Sequence, residues 1–255
     1  MSNGFGTWPG LDTGRCGCNS ESLDTANFSR LPFEESALLG QMLVSLADQG
    51  VASGARQSFV RAYHFAYSAH IGQKRESGAD YFEHLRGTAQ ILNDELGCTD
   101  TGMLCAAMLH DVVENSPIFH RMISDSPQPY FHVHRRLTDE FGAKVAQLVL
   151  AVTKLPKTRL SRQERLERHL EQLSKSSPEV LVLKAADRLH NLRTLDSISG
   201  EKRGRIMEET QAYFIPLFEA AASSNCPPWS EYAAVLLRKI NAQLKQLRCD
   251  YPPVS

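Results

Sequence analysis

The chain has 255 residues, enough for one or two domains, and its 42% hydrophobic residues are ordinary for a soluble globular protein. Its 28 basic and 29 acidic residues give a net charge of −1, which argues against a broad nucleic-acid-binding surface. The longest apolar run, residues 103–109, is far shorter than the ~18 residues that span a membrane. No signal-peptide pattern opens the sequence. These features predict a cytoplasmic protein that does not enter membranes.

The first 31 residues differ in composition from the rest of the chain. They are rich in Gly, Ser, Asn, Asp and Thr and have no sustained apolar period, which predicts a flexible tail before a single domain at 32–250. Cys16 and Cys18 lie in this segment without a matching second pair, so they are weak evidence for a metal site. Six cysteines in a chain of this length do not form a disulfide-scaffold pattern, and we expect reduced thiols.

From residue 33 onward, apolar residues recur at helical spacing. Three early helices are expected to end near Gly50, Gly72 and Gly97, the third beginning near His84. Further helices are predicted at 103–114, 142–152, 162–173, 177–195, 202–221 and 231–247. The segment 116–140 holds several prolines and is interpreted as a long loop inserted between helices, which we expect to cover the functional pocket and restrict the substrate. No run of alternating apolar residues indicates a sheet, so the sequence predicts a compact all-α fold.

The helix predicted at 103–114 is nearly all apolar until it reaches His110, Asp111 and Glu114. On a continuous helix these three residues share one face, because positions three and four apart are neighbours. Ionisable groups at the end of a buried helix are unfavourable unless they are paired or bind a metal. The alternative is a polar helix end that meets solvent.

A second polar row follows the helix predicted at 177–195. At ~100° per residue, Lys184, Asp187, Asn191 and Thr194 align on one side of that helix. His190 lies beside the row and is predicted to pack rather than to bind. Two imidazoles and two carboxylates suit a divalent ion such as Mn, Fe, Mg or Zn, and the candidate ligands are His84, His110, Asp111 and Asp187.

The order of these residues and the sequences that flank them resemble those of HD-domain metal phosphohydrolases. The resemblance is closest to the hydrolase domain of RelA/SpoT-type alarmone enzymes. The resemblance covers about residues 55–222. It rests on AHIGQKRESGADYFEH (69–84), AAMLHDVVEN (106–115), FGAKVAQLVLAVTKL (141–155), LVLKAADRLHNLRTL (181–195) and EKRGRIMEETQAYFIPLFEA (201–220). It implies a standalone small hydrolase that removes the 3′-diphosphate from (p)ppGpp.

The resemblance also implies roles for individual residues. The four candidate ligands match the family's metal ligands, usually for Mn²⁺, and Glu114 and Asn115 match the pair that orients the attacking water. The implied contacts to a guanosine nucleotide are Arg75, Ser77, Lys154, Asn191 and Thr194. A homo-oligomer or a separately encoded alarmone synthetase is left open as a partner.

Two residues depart from the family pattern. Asn115 replaces an acid, and an amide can position a water but cannot take its proton. Glu76 replaces a lysine in the substrate loop. They keep two alternatives open: a hydrolase acting on another 3′-phosphorylated or pyrophosphorylated nucleotide or RNA end, and a non-catalytic alarmone-binding or antitoxin-like protein.

Overall fold

The computed structural model describes residues 31–125, 129–154 and 160–251, and the regular structure in these ranges is helical. The predicted all-α fold is thereby confirmed. The first helices are α1 (Phe33–Asp48), α2 (Ser53–His70), α3 (Tyr81–Gln90), α4 (Thr101–Leu109), α5 (Val112–Asn115), α6 (Pro117–Asp125) and α7 (Pro129–Phe141). The others are α8 (Ala143–Val152), α9 (Arg162–Ser174), α10 (Pro178–Arg193), α11 (Gly200–Glu209), α12 (Ile215–Ala222) and α13 (Trp229–Asp250). The proposed tail lies outside the described residues, apart from Leu31.

Two buried helices form the centre of the molecule. In α4 every residue from Met103 to Leu109 is buried, which matches its apolar sequence. The other is α10, which packs against α3, α8, α12 and α13, while α4 packs against α2, α3 and α8. Helices α3, α4 and α10 therefore meet, and their polar residues lie against the apolar core.

Local sequence signals explain several helix ends. Ser161 and Glu164 form a capping box at the start of α9, and Pro178 occupies the first turn of α10. Asp100 caps α4 by accepting a hydrogen bond from the Met103 amide at 3.0 Å. The first N–H groups of a helix have no partner inside it. The two caps supply such a partner, and proline has no N–H that needs one.

The helix predicted at 103–114 is not continuous. It ends at Leu109, a turn follows at His110 and Asp111, and the short α5 begins at Val112. The expectation that His110, Asp111 and Glu114 share one helix face is therefore wrong. Because of the turn, Asp111 and Glu114 make contacts in different places.

The described residues of the segment 116–140 form the two helices α6 and α7 and not the expected loop. Phe119, Val133 and Leu137 are fully buried, so both helices contribute to the core. The Phe65 ring lies 6.3 Å from Phe119 and 5.3 Å from Phe141 between centroids, in edge-to-face geometry. Two prolines of this segment, Pro117 and Pro129, stand at the first positions of the helices, where proline is well tolerated.

Two other helix predictions need smaller corrections. Helix α3 begins at Tyr81, three residues before the expected start at His84. The helix predicted at 202–221 is divided by a π-helical turn, Thr210–Phe214, between α11 and α12. Pro216 lies in the first turn of α12, where its missing N–H is tolerated.

The described part of the chain contains no helix that is both long enough and apolar enough to cross a membrane. Its cysteines, Cys98, Cys105, Cys226 and Cys249, are free thiols.

Candidate active site

His84 and His110 point their Nε2 atoms at each other. His84 lies in the first turn of α3 and His110 directly follows α4, and both side chains are almost fully buried. The two Nε2 atoms are 3.2 Å apart. The Nδ1 atom of His110 lies 2.8 Å from the Ala107 carbonyl oxygen. Because a carbonyl can only accept, this Nδ1 donates, and neutral His110 presents a lone pair at Nε2.

Two carboxylates complete the cluster. Asp187 Oδ1 lies 3.2 Å from His84 Nε2 and 3.7 Å from His110 Nε2. Asp111 Oδ1 lies 3.6 Å from His110 Nε2, and the ligand atoms of His84, His110 and Asp111 all lie within 4.8 Å of one another. Ligand atoms around an ion with bonds of ~2.0–2.2 Å are roughly 3–4 Å apart. These distances are compatible with a divalent ion between His84, His110 and Asp111, with Asp187 beside both imidazoles. That all four residues are ligands stays a prediction.

The charges in the cluster also favour a cation. Burial lowers the pKa of His110, but Asp111 and Asp187 outweigh it and raise that pKa to about 9. Burial alone would raise the pKa of Asp187, yet Lys184 and the two imidazoles hold it well below its ordinary value. Two ionised carboxylates thus face two imidazole nitrogens in a desolvated space, where a positive charge is strongly stabilised.

Asp187 also receives hydrogen bonds from its own helix. Lys184 Nζ donates to Oδ2 at 2.8 Å, and Asn191 Nδ2 donates to Oδ1 at 2.5 Å. The Asn191 Oδ1 atom in turn accepts a hydrogen bond from Arg75 Nη2 at 2.5 Å. Asn191, expected to contact nucleotide, thus hydrogen-bonds to Arg75 and to the candidate ligand Asp187 in this structure.

One nitrogen of the Arg75 guanidinium makes no hydrogen bond to the described residues. Its Nη1 atom is buried and has no hydrogen-bond partner among the described residues. Glu76, the anion of the same loop, forms an ion pair with Lys202 of α11, which offsets its negative charge. Arg75 therefore retains a donor for an anionic ligand.

Ser77 and Thr194 make local contacts. Ser77 Oγ accepts a hydrogen bond from the Ala79 amide at 3.4 Å within the loop. Thr194 Oγ1 donates to the His190 carbonyl oxygen at 3.1 Å, at the end of α10. Their expected contacts with a nucleotide stay predictions.

The Glu114 side chain hydrogen-bonds to the backbone rather than to the four candidate ligands. Its Oε1 atom accepts a hydrogen bond from the Lys154 amide at 2.5 Å, which joins α5 to the end of α8. Burial raises the pKa of Glu114, although Lys154 opposes that shift. A carboxylate with a raised pKa is a better proton acceptor near neutral pH than an exposed one.

Asn115 contacts a tyrosine that the sequence reasoning did not single out. Asn115 Nδ2 donates to the Tyr81 hydroxyl oxygen at 2.8 Å, and the Tyr81 hydroxyl donates to Asp111 Oδ2 at 2.5 Å. The spacing of Tyr81 three residues before His84 is compatible with a shared helix face and was the available signal.

His190 is the second residue that was missed. Its Nδ1 atom lies 2.9 Å from His84 Nδ1, so it contacts a candidate ligand rather than only packing. With Nε2 of His84 facing the cluster, Nδ1 of His84 carries the hydrogen and donates to His190. A Cβ atom at Gly87 would lie 2.2 Å from His190 Nε2, so the glycine makes room for this ring.

Residues 62–222 match the family model described as the HD domain. The chain belongs to the HD-domain family. The match includes all four candidate ligands and both buried helices α4 and α10, and it confirms the resemblance found in the sequence.

Relatives of this HD-domain protein are larger proteins. A probable guanosine-3′,5′-bis(diphosphate) 3′-pyrophosphohydrolase of Synechocystis is 40% identical over 162 residues, which are 62% of this chain and 19% of that protein. The SpoT bifunctional (p)ppGpp synthase/hydrolase of Escherichia coli is 35% identical over 163 residues, covering 62% of this chain and 21% of that protein. The chain therefore spans about a fifth of the length of the curated relatives it matches.

One solved structure matches most of this chain. It is described as a metazoan ortholog of SpoT that hydrolyses ppGpp and plays a role in starvation responses. The likeness has a TM-score of 0.52 at 25% sequence identity, and it covers 77% of this chain and 97% of that one.

Proposed function

We propose that this protein is a metal-dependent hydrolase that removes the 3′-diphosphate from guanosine alarmones, releasing pyrophosphate from (p)ppGpp. The observation that carries the proposal is the convergence of His84, His110, Asp111 and Asp187 within a segment that aligns with 3′-pyrophosphohydrolases. The solved ppGpp hydrolase supports the same activity.

The four converging residues would hold one divalent ion, and Mn²⁺ is the ion we propose. A bound divalent ion supplies Lewis acidity at a phosphate and makes water a better nucleophile. The residues around it fix the imidazoles in the form that can bind: Ala107 orients His110, and His190 orients His84.

Glu114 is the proposed proton acceptor for the attacking water. Its backbone anchor at Lys154 holds the carboxylate in place, and its raised pKa suits proton transfer. Arg75, through its unused Nη1, is the proposed donor to the phosphates of the substrate, and Lys154 is exposed nearby for the same purpose.

Incubation of the purified protein with ppGpp and Mn²⁺, followed by separation of the products, tests this function. We expect guanosine diphosphate and pyrophosphate in equal amounts, and neither product with the matched variant Asp187→Asn. Release of orthophosphate would favour the alternative hydrolase on another 3′-phosphorylated substrate. Tight ppGpp binding without turnover would favour the non-catalytic alternative, for which Asn115 is the specific observation.

A further inference from the structure

Tyr81 has one hydroxyl hydrogen and two polar neighbours. The hydroxyl lies 2.5 Å from Asp111 Oδ2 and 2.8 Å from the side-chain amide of Asn115. An ionised carboxylate only accepts hydrogen bonds, so the hydrogen of Tyr81 belongs to the bond with Asp111. The other neighbour of the phenol oxygen must then donate to it, and the NH₂ group of Asn115 does so.

The position of this chain of hydrogen bonds is fixed from several sides. Gln73 Nε2 donates to the backbone carbonyl oxygen of Asn115 at 3.1 Å, and Gln73 Oε1 lies 2.8 Å from His70 Nδ1. The buried His70 ring stacks on Tyr81 with 4.8 Å between centroids and an interplanar angle of 11°. Tyr81 is therefore held in place by its ring as well as by its hydroxyl.

We propose that Asn115 is a positioning residue that directs the Tyr81 hydroxyl onto Asp111 Oδ2, rather than a group that orients the attacking water. Tyr81 then engages Oδ2, while Oδ1 of Asp111 faces His110 Nε2 at 3.6 Å. This inference deepens the proposed function and rests on it for the role of Asp111 as a metal ligand.

The amide is suited to this task in a way that a carboxylate is not. A carboxylate at position 115 could only accept a hydrogen bond from the Tyr81 hydroxyl. The single hydroxyl hydrogen of Tyr81 would then be shared between that carboxylate and Asp111. The asparagine that departs from the family pattern therefore supports a metal ligand in this chain. On this view its presence is no sign of lost catalysis.

Binding of Mn²⁺ alone, without any nucleotide, tests the proposal in a double-mutant cycle with Asn115→Leu and Tyr81→Phe. Leucine is close in size to asparagine and adds no charge, and phenylalanine keeps the ring that stacks on His70. We expect each single variant to weaken Mn²⁺ binding ~10- to 100-fold, as is typical for partners of metal ligands. The double variant should bind Mn²⁺ no more weakly than Tyr81→Phe, because Asn115 acts through Tyr81.

Two results would overturn the proposal: unchanged Mn²⁺ binding by Asn115→Leu, or effects of the two substitutions that add. Thermal unfolding of each variant serves as the fold control, and Asn115→Ala replaces Asn115→Leu if the latter does not fold. The cycle is independent of the substrate, so wild-type protein that binds Mn²⁺ but leaves ppGpp intact would refute the proposed function and not this inference.

Discussion

Among the individual residues, Asp187 has two roles: it is a candidate metal ligand and the ion-pair partner of a buried lysine. Lys184 is only 4% exposed, and its Nζ atom lies 2.8 Å from Asp187 Oδ2. Removing one partner of a buried ion pair leaves an uncompensated charge, which typically costs ~3–5 kcal/mol. The same carboxylate thus affects both metal binding and the free energy of unfolding.

We expect Asp187→Ala to abolish Mn²⁺ binding and to lower the free energy of unfolding by a few kcal/mol, on the order of a broken buried ion pair. Adding Lys184→Met should restore most of the stability and none of the Mn²⁺ binding. Urea unfolding and Mn²⁺ titration measure the two effects separately. Wild-type Mn²⁺ affinity in Asp187→Ala would show that the ligand assignment is wrong.

Glu114→Gln should lower turnover of ppGpp ~10²- to 10⁴-fold while leaving Mn²⁺ binding unchanged, because the amide cannot accept a proton. Burial raises the pKa of Glu114 above the ordinary 4.5, so wild-type activity should fall with decreasing pH at a point above that value. The pH–rate profile of the variant should lack this acid limb. Full activity of Glu114→Gln would mean that another group accepts the proton.

At the scale of elements, Gly87 of α3 lies against the His190 ring of α10. A Cβ atom at Gly87 would meet His190 Nε2 at 2.2 Å, so Gly87→Ala must displace the ring that supports His84. We expect weaker Mn²⁺ binding in this variant, although residue 87 is not itself a ligand.

Gly40→Ala on α1 is the matched control, because a Cβ atom there would meet nothing within 4 Å. That control should bind Mn²⁺ like the wild type and be more stable by ~0.5–1 kcal/mol, as expected for alanine in a helix. Calorimetric titration measures the affinities. Equal Mn²⁺ affinity in Gly87→Ala and Gly40→Ala would show that His190 has no supporting role.

The sequence was sufficient to predict most helices, because α4, α9, α10 and α13 carry clear apolar periods or caps. It also identified the four residues that converge, through their polarity on otherwise apolar helices and through the resemblance. The break after Leu109 was not visible, since Val112 and Val113 resume the apolar pattern after the turn and neither Gly nor Pro marks it. Helices α6 and α7 were missed because prolines at their first positions resemble loop signals.

The periodicity of apolar residues could not predict contacts between residues that are far apart in the chain. His190 is 106 residues from His84 and Tyr81 is 34 residues from Asn115, and nothing in either local pattern specifies the pairing. The 116–140 segment was expected to cover the pocket, and that expectation stays a prediction. His120 Nε2 of α6 lies 2.7 Å from the Glu114 carbonyl oxygen, which connects this segment to the candidate base.

For the whole molecule, buried neutral histidines should make stability depend on pH. Burial is the main cause that lowers the pKa of His169 to about 2 and of His190 to about 3. His169 is 2% exposed, and neither ring nitrogen has a hydrogen-bond partner among the described residues. Below pH ~6.5 the unfolded chain gains a proton at such a residue while the native state does not, so stability falls with decreasing pH.

His169→Leu removes one such residue from the core without creating a buried charge. Each unprotonated histidine reduces stability by ~1.4 kcal/mol per pH unit below its unfolded pKa, so the wild type should lose about 2 kcal/mol more than this variant between pH 7 and pH 5. Urea unfolding of metal-free protein at both pH values measures the two losses, and comparing slopes cancels any change in packing. Parallel pH dependences of wild type and His169→Leu would show that His169 takes up a proton in the native state or is not buried there.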